Sequence, residues 1–505
     1  MATPGISTSE ASTSPAWYRR LGFWLGIALF VIVLFIPSSA ELAAAQRMGA
    51  IAVLMACWWI TEAIPIPATA LIPLVLFPLL GIADAKTASA PYANHLIFLF
   101  LGGFFIALAV QKWQLHRRIA MRTISLLGFS PAKLVLGFMA ATGFISMWMS
   151  NTATAMIMLP IGLAIIKHLE EAGTFRERAK LQANFGSALM FGIAYSASIG
   201  GIGTLVGTPP NLIFAGMAEE LSGRHVSFTD WLMVGVPVVV IFLPLTWLYL
   251  VRFACPVWGE RSIAGEDAVK QELAKLGKMT APERRTAMIF LMTALAWILS
   301  ESKDLGAFTV PGLKDIFPGI SDGSITMAGA LALFISPARG LSGPRLLDWG
   351  KAKEISWGIL LLFGGGLALA DGFQQTGLDR WMGAQLQLLQ GFPHLLTLIV
   401  MIALVVVLTE VASNTAVTAM ILPICAGLAK GIGADPLFLM LPAAIAASCG
   451  FMLPVGTPPN ALIFASGYVT VTQMARIGIV VDILGIIIIA LITYLLAIPV
   501  FHLAL

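Results

Sequence analysis

Apolar runs separated by short polar breaks fill most of the chain. They lie at about 21–37, 48–66, 67–82, 93–112, 185–221, 229–252, 286–300, 324–338, 356–373, 436–468 and 477–501. Most carry almost no charge and reach the length a helix needs to span a bilayer. Two of them, 185–221 and 436–468, are interrupted part-way. Two further stretches, 131–167 and 393–428, are too long for one helix. Each carries the same polar triplet near its middle, Ser150-Asn151-Thr152 and Ser413-Asn414-Thr415. Each reads as a re-entrant hairpin of two half-length helices with the triplet at its tip. The pattern predicts an all-α polytopic membrane protein of about 11 transmembrane helices plus two hairpins. Barrel strands would be short and alternating, which excludes a transmembrane β-barrel.

Composition agrees. Length alone, 505 residues, would suggest about three soluble domains. The chain is 58% apolar and 11% charged, with a mean hydropathy of +0.90. A soluble protein of this size needs far more charged surface. The formal net charge of +4 is modest, and its basic residues are spread over loops, so nucleic acid is not an expected partner. Cys57, Cys255, Cys425 and Cys449 lack CxxC spacing and read as small buried hydrophobes. The six His are scattered along the chain, with no ligand pair among them. The start, with its basic pair Arg19-Arg20 and apolar centre, resembles a signal peptide. A dozen similar runs follow, so 21–45 is read as an uncleaved first span. Residues 1–20 are expected to form a disordered cytoplasmic tail.

Loop charge sets the expected orientation. With the N-terminus inside, 23 of the 30 Lys and Arg fall on the cytoplasmic side. Only Arg47, Lys86, Arg224, Lys303, Lys314, Arg380 and Lys430 fall outside. This predicts a multi-pass protein of the cell (inner) membrane, its N-terminus cytoplasmic and its C-terminus outside. The mixed-charge segment 253–285 is read as a cytoplasmic linker helix.

The chain also repeats itself. Ser150-Asn151-Thr152-Ala153 recurs 263 positions on as Ser413-Asn414-Thr415-Ala416, and Leu159-Pro160 as Leu422-Pro423. At the same offset Gly102, Gly103 and Gln111 match Gly365, Gly366 and Gln374. Gly207-Thr208-Pro209-Pro210-Asn211 recurs 249 positions on as Gly456-Thr457-Pro458-Pro459-Asn460. Two repeats follow, 46–252 with its hairpin and broken helix 185–221, and 286–505 with hairpin 393–428 and broken helix 436–468. Five crossings per repeat would insert the second copy upside down. Inverted repeats with matching broken helices point to a secondary transporter's binding site near the midplane.

A break in a membrane helix has a chemical use. The helix that restarts presents free N–H groups and about half a positive charge, and the one that ends presents carbonyls and about half a negative charge. Ser, Asn and Thr are good N-caps, Thr208 and Thr457 included, and Pro209 and Pro458 suit the first helical position. Four converging breaks supply up to about +2 of partial charge, which suits a dianion with no buried Lys or Arg. Carbonyl ends and Asn or Ser oxygens suit a small hard cation such as Na⁺. A dianion and Na⁺ held together relieve each other's desolvation, which couples their binding.

These features resemble the divalent-anion/sodium symporter family. The resemblance rests on both Ser-Asn-Thr tips, both Gly-Thr-Pro-Pro-Asn breaks and "CWWITEAIPIPATALIPLVLFPLLGI" from Cys57 to Ile82. It implies a homodimer whose subunits each hold a fixed scaffold domain and a transport domain that moves as an elevator. It implies one Na⁺ site at Ser146, Ser150, Asn151 and the Gly207 carbonyl. A second would lie at Thr409, the Ala412 carbonyl, Asn414 and the Gly456 carbonyl. Substrate carboxylates would meet Ser150, Asn151, Thr152, Ser413, Asn414 and Thr415, with Thr208, Pro209, Thr457 and Pro458 lining the pocket. The function it implies is Na⁺-coupled symport of C4-dicarboxylates such as succinate, malate and fumarate into the cell. The alternative is a Na⁺-independent exchanger of dicarboxylates or citrate on the same fold.

An enzyme is not expected, because GxxxxGK[ST] and HExxH are both missing from the sequence. Glu410 has Met147 at its aligned place in the first copy and is read as structural. Asp482, within the last run, is read as a packing residue, and Glu62 and Asp371 as interfacial.

Overall fold

The computed structural model describes residues 17–171, 178–259, 265–304, 309–340, 343–385 and 391–504. Of the tail expected to be disordered over 1–20, residues 1–16 lie outside these, while 17–20 are helical and open the first helix; part of the 253–285 linker also lies outside. Helices dominate, as apolar sequence without alternation requires, since lipid can satisfy no unpaired backbone group. The first helix is α1 (Trp17–Phe35), with α2 (Ala43–Thr61) packed against it. Then come α3 (Ile66–Thr69), α4 (Ile72–Leu79), α5 (Ala85–Ser89), α6 (His95–Lys112) and α7 (Leu115–Leu127). Next are α8 (Pro131–Ser146), α9 (Asn151–Glu171), α10 (Ala179–Gly201), α11 (Pro209–Ser222) and α12 (Phe228–Tyr249). The linker holds α13 (Gly265–Leu276).

After it come α14 (Ala281–Ile298), α15 (Leu313–Ile316), α16 (Asp322–Ile335), α17 (Trp349–Ala352), α18 (Trp357–Thr376) and α19 (Leu378–Gln385). The chain continues with α20 (His394–Val411), α21 (Asn414–Gly431), α22 (Leu437–Ala446), α23 (Pro458–Ala465), α24 (Val471–Ile492) and α25 (Ile498–Phe501). Both α12 and α24 end in a π-helical turn, Leu250–Ala254 and Thr493–Ala497. The strands are a two-residue antiparallel ladder, with Lys303 opposite Val310.

Among the described residues eight helical segments are long and apolar enough to cross a membrane. Four shorter apolar helices, Ile66–Leu79, Pro131–Ser146, Asp322–Ile335 and Leu437–Ala446, accompany them. The run expected as one span at 67–82 is broken between α3 and α4. Pro73 lacks an N–H and its ring would clash with the carbonyl of Thr69, so the helix restarts. The Tyr92 hydroxyl donates to the freed carbonyl of Ala70.

Two amphipathic helices, α7 and α19, occupy stretches that hydropathy reads as loop. α7 buries Leu115, Ala120, Met121 and Ile124 on one face and packs along α8. α19 packs along α21 in the same way. One group of helices joins α6 to α14 and α16, and α18 to α2 and α3. The packing between the repeats is crossed: α11 lies against α21 and α22 of the second copy, and α23 lies against α9 and α10 of the first. The restarted half of each broken helix therefore meets the other copy's triplet-bearing helix.

Candidate cation and anion site

Each triplet falls where one helix ends and another begins. In the first copy α8 stops at Ser146, and α9 starts at Asn151. The Ser146 hydroxyl donates to Asn151 Oδ1 at 2.9 Å and approaches the Ala197 carbonyl oxygen at 2.6 Å. In the second, α20 stops at Val411 and α21 starts at Asn414. There the Thr409 hydroxyl contacts Asn414 Oδ1 at 2.7 Å and the Ala447 carbonyl oxygen at 2.8 Å. Ser146 and Thr409 are fully buried. The triplet residues themselves are half-buried. The buried hydroxyl fixes the asparagine, and the asparagine faces accessible space.

The second motif closes each break from the other side. Asn211 is buried, and its Nδ2 donates to the carbonyls of Gly201 at 2.9 Å and Thr204 at 2.7 Å. Asn460 repeats this on Gly450 at 3.1 Å and Leu453 at 3.0 Å. The last residue of Gly-Thr-Pro-Pro-Asn thus supplies a donor to the Gly201 and Gly450 carbonyls at the break, and a second donor to those of Thr204 and Leu453, which also accept from Gly207 N and Gly456 N. The Oδ1 atoms of Asn211 and Asn460 are buried with no hydrogen-bond donor in reach. Pro209 and Pro458 stand at the first helical position, where no N–H is needed.

Capping is less uniform than expected. Ser150 Oγ accepts from Ala153 N at 3.3 Å, and Thr457 Oγ1 accepts from Asn460 N at 3.4 Å. Thr208 and Ser413 hold cap positions but make no capping hydrogen bond. The hydroxyls of Thr152 and Thr415 make no hydrogen bond among the described residues, and both are half-buried. Ala412, in extended conformation with φ −134° and ψ 159°, ends α20 and is buried.

Glycine is required where the two motifs touch. A Cβ on Gly201 would sit 2.3 Å from Asn151 Oδ1, and one on Gly207 would sit 2.4 Å from the Gly201 carbonyl oxygen. Gly201, not among the expected site residues, links the triplet to the break. Its signal lay in the run Gly200-Gly201-Ile202-Gly203, where close backbone approach is the usual reason for glycine.

The two copies differ at one point. Glu410 is buried, and its carboxylate accepts from the backbone N–H of Met452 at 2.8 Å and Leu453 at 2.9 Å. It supports the unwound strand before Gly456, the structural role its sequence position suggested. In the first copy Met147 stands at that place, and the Thr204 hydroxyl donates to the Met147 carbonyl. Asp482 of α24 lies buried beside Glu410. Trp148, at the first tip, packs against Phe290 and Trp297 of α14.

No Lys or Arg lies within these motifs. The groups on offer are hydroxyls, amide and carbonyl oxygens and the N-termini of α9, α11, α21 and α23. The oxygens fit a hard alkali cation and the N-termini fit an anion. A model described as "Sodium:sulfate symporter transmembrane region" matches residues 18–503. The chain belongs to this family. It is the divalent-anion/sodium symporter family that the paired motifs resemble. One similar relative, from Staphylococcus saprophyticus, is called "Sodium-dependent dicarboxylate transporter SdcS". It is 43% identical over 484 residues, covering 95% of this chain and 92% of its own. The protein of that name from Staphylococcus aureus NCTC 8325 is 45% identical over 483 residues, covering 94% and 91%. Among solved structures, the YdaH transporter of Alcanivorax borkumensis resembles this symporter-family member in fold. It does so at a TM-score of 0.51 and 12% identity, with 96% and 97% of the chains covered. This member is a multi-pass membrane transporter, not an enzyme, and Na⁺ is its co-transported ion.

Proposed function

We propose that the protein couples Na⁺ to the inward transport of C4-dicarboxylates such as succinate, malate and fumarate. The observation that carries this is the repeated pairing of a buried hydroxyl with the triplet asparagine, Ser146 with Asn151 and Thr409 with Asn414. Two equivalent oxygen clusters suit two Na⁺ ions. One would use Ser146, Ser150, Asn151 and the Gly207 carbonyl, the other Thr409, Asn414 and the Ala412 and Gly456 carbonyls. The substrate carboxylates would lie between them, on Ser150, Asn151, Thr152, Ser413, Asn414 and Thr415. Thr208, Pro209, Thr457 and Pro458 would line the walls.

Burying a dianion alone in lipid is expensive, and adjacent cations offset that cost. Na⁺ binding therefore raises affinity for the dianion and, by linkage, the reverse. If three Na⁺ accompany one dianion, one net charge moves inward, worth about 2.3 kcal/mol per 100 mV. In this reading the second repeat is inverted relative to the first, and the two triplet turns are tips of re-entrant hairpins from opposite sides. The hairpins and broken helices move together as an elevator against a scaffold that includes α6, α14, α16 and α18. Two copies pair through their scaffolds. The N-terminus is cytoplasmic and the C-terminus external. The crossed packing of α11 on α21 and of α23 on α9 supports one moving body.

The test is uptake of labelled succinate, citrate and sulfate into proteoliposomes, with and without an inward Na⁺ gradient. Na⁺-driven accumulation of succinate is expected. Equal uptake without Na⁺, stimulated by internal dicarboxylate, would favour the exchanger instead.

A further inference from the structure

Sequence spacing showed no histidine pair, yet the fold makes one. His95 is the first residue of α6, held there by the Asn94 side chain, which accepts from Leu96 N at 2.9 Å. His225 lies in the turn between α11 and α12, 130 positions on. Their rings lie 6.4 Å apart, nearly parallel. Glu219, on the last turn of α11, stands between them. Its Oε2 is 3.8 Å from His95 Nε2 and 3.6 Å from His225 Nδ1. The three ligand atoms all lie within 4.8 Å of one another. That Oε2 is itself shielded from solvent and has no hydrogen bond.

We propose that His95, Glu219 and His225 form a binding site for a divalent transition metal such as Zn²⁺, and that the metal clamps the transporter. Two imidazoles and one carboxylate are a known zinc donor set, with water left as a fourth ligand. Metal–ligand bonds of about 2.0–2.2 Å place tetrahedral donors about 3.3 Å apart. The two carboxylate–imidazole distances exceed that spacing by about 0.3–0.5 Å and the imidazole pair by at most about 1.5 Å, movements open to the exposed side chains of His95 and His225. The nearby cation, Lys314, is engaged by Glu301 at 3.3 Å and Asp322 at 3.5 Å.

In the elevator reading the ligands come from two bodies. His95 belongs to α6, whose main neighbour is α16. Glu219 belongs to α11, which packs on α21 and α22 and, across the boundary with the scaffold, on α18. His225 moves with α11, because the adjacent Arg224 pairs with Asp435, just before α22, at 2.9 Å. Given the elevator reading above, on which this part rests, a metal bridging His95 to the other two ties the moving body to the scaffold. By the loop charges the site faces the outside, where free metal would reach it.

The experiment uses tag-free purified protein and Zn²⁺ competed against a chromophoric chelator, with uptake of labelled succinate measured in parallel. Wild type is expected to bind one Zn²⁺ per chain, and His95→Ala, Glu219→Gln and His225→Ala are each expected to weaken it by at least about tenfold. Micromolar external Zn²⁺ should block uptake by wild type reversibly, and His95→Ala should keep its uptake in Zn²⁺. Absence of stoichiometric binding, or unchanged affinity in His95→Ala, would overturn the site. Binding without any effect on uptake would overturn the clamp. Wild type that carries no succinate even without Zn²⁺ would instead refute the transport reading, and the chelator competition would still decide the site.

Discussion

Thr409 and Asn414 are joined across the second helix break, hydroxyl to amide oxygen, at 2.7 Å. Neither could take this position within one continuous helix, since residues five apart do not share a face. The break brings them together, and the buried threonine sets the direction of the half-buried asparagine. Replacing Asn414 or Asn151 by Ala removes one oxygen from a cation and a contact from a carboxylate. A hydrogen bond to a charged group is worth about 1.5–3 kcal/mol. Each change is expected to weaken apparent Na⁺ affinity by roughly ten- to a hundredfold. Uptake titrated against external Na⁺ checks this, and an unaltered titration in either variant removes that asparagine from the site.

The twin glycines at the breaks should behave unequally. Gly201→Ala would put a methyl 2.3 Å from Asn151 Oδ1, so the asparagine must leave its place. Gly450→Ala meets the Thr409 carbonyl oxygen only at 3.3 Å, a tight contact that a small shift relieves. Gly201→Ala should abolish Na⁺-dependent uptake, while Gly450→Ala should retain a substantial part. Transport in both variants, normalised to protein in the membrane, tests the asymmetry.

Glu410 holds two backbone N–H groups of the second break. Glu410→Ala leaves both unpaired in a buried place, at about 1–3 kcal/mol for each. Met147→Ala, at the aligned place in the first copy, removes no such acceptor and is expected to cost less. Thermal unfolding in detergent should show the larger loss for Glu410→Ala.

The linker is more than a tether. Arg118 is buried and binds Glu283, the carbonyl of Gly277 at 2.9 Å and that of Leu276 at 3.2 Å. Arg118→Ala leaves the Glu283 charge unpaired, a change worth about 3–5 kcal/mol for buried pairs. Lys270→Ala, on the exposed face of α13, should have almost no effect. Close by, Lys275 and then Arg117 hold the Glu272 carboxyl below its ordinary range. Its contribution to docking is therefore complete above the ordinary carboxylate pKa and is lost only as pH falls through the lowered value. Limited proteolysis of the linker should find it protected at neutral pH and opened by acid or by Arg118→Ala.

Much of this was legible because lipid punishes irregular backbone. A polar triplet inside an apolar run needs a reason, and its recurrence 263 positions on supplied one. The breaks at Gly207 and Gly456 were equally visible, as was the structural role of Glu410. The amphipathic helices α7 and α19 were not, because a helix with one charged face averages to the hydropathy of a loop. Arg118 counted there as loop charge, although it is buried. Gly201 and the His95–His225 pair escaped for another reason. Their partners lie 50 and 130 positions away, and no local pattern reports a contact that only the packing of helices creates.

The most direct test of the coupled site is calorimetric binding of succinate to the purified protein in Na⁺ and in choline. Succinate should bind wild type only in Na⁺, with affinity rising with Na⁺ concentration, and bind weakly or not at all in Asn151→Ala and Asn414→Ala. Equal binding in choline, or full Na⁺-dependent binding in both variants, would contradict the account.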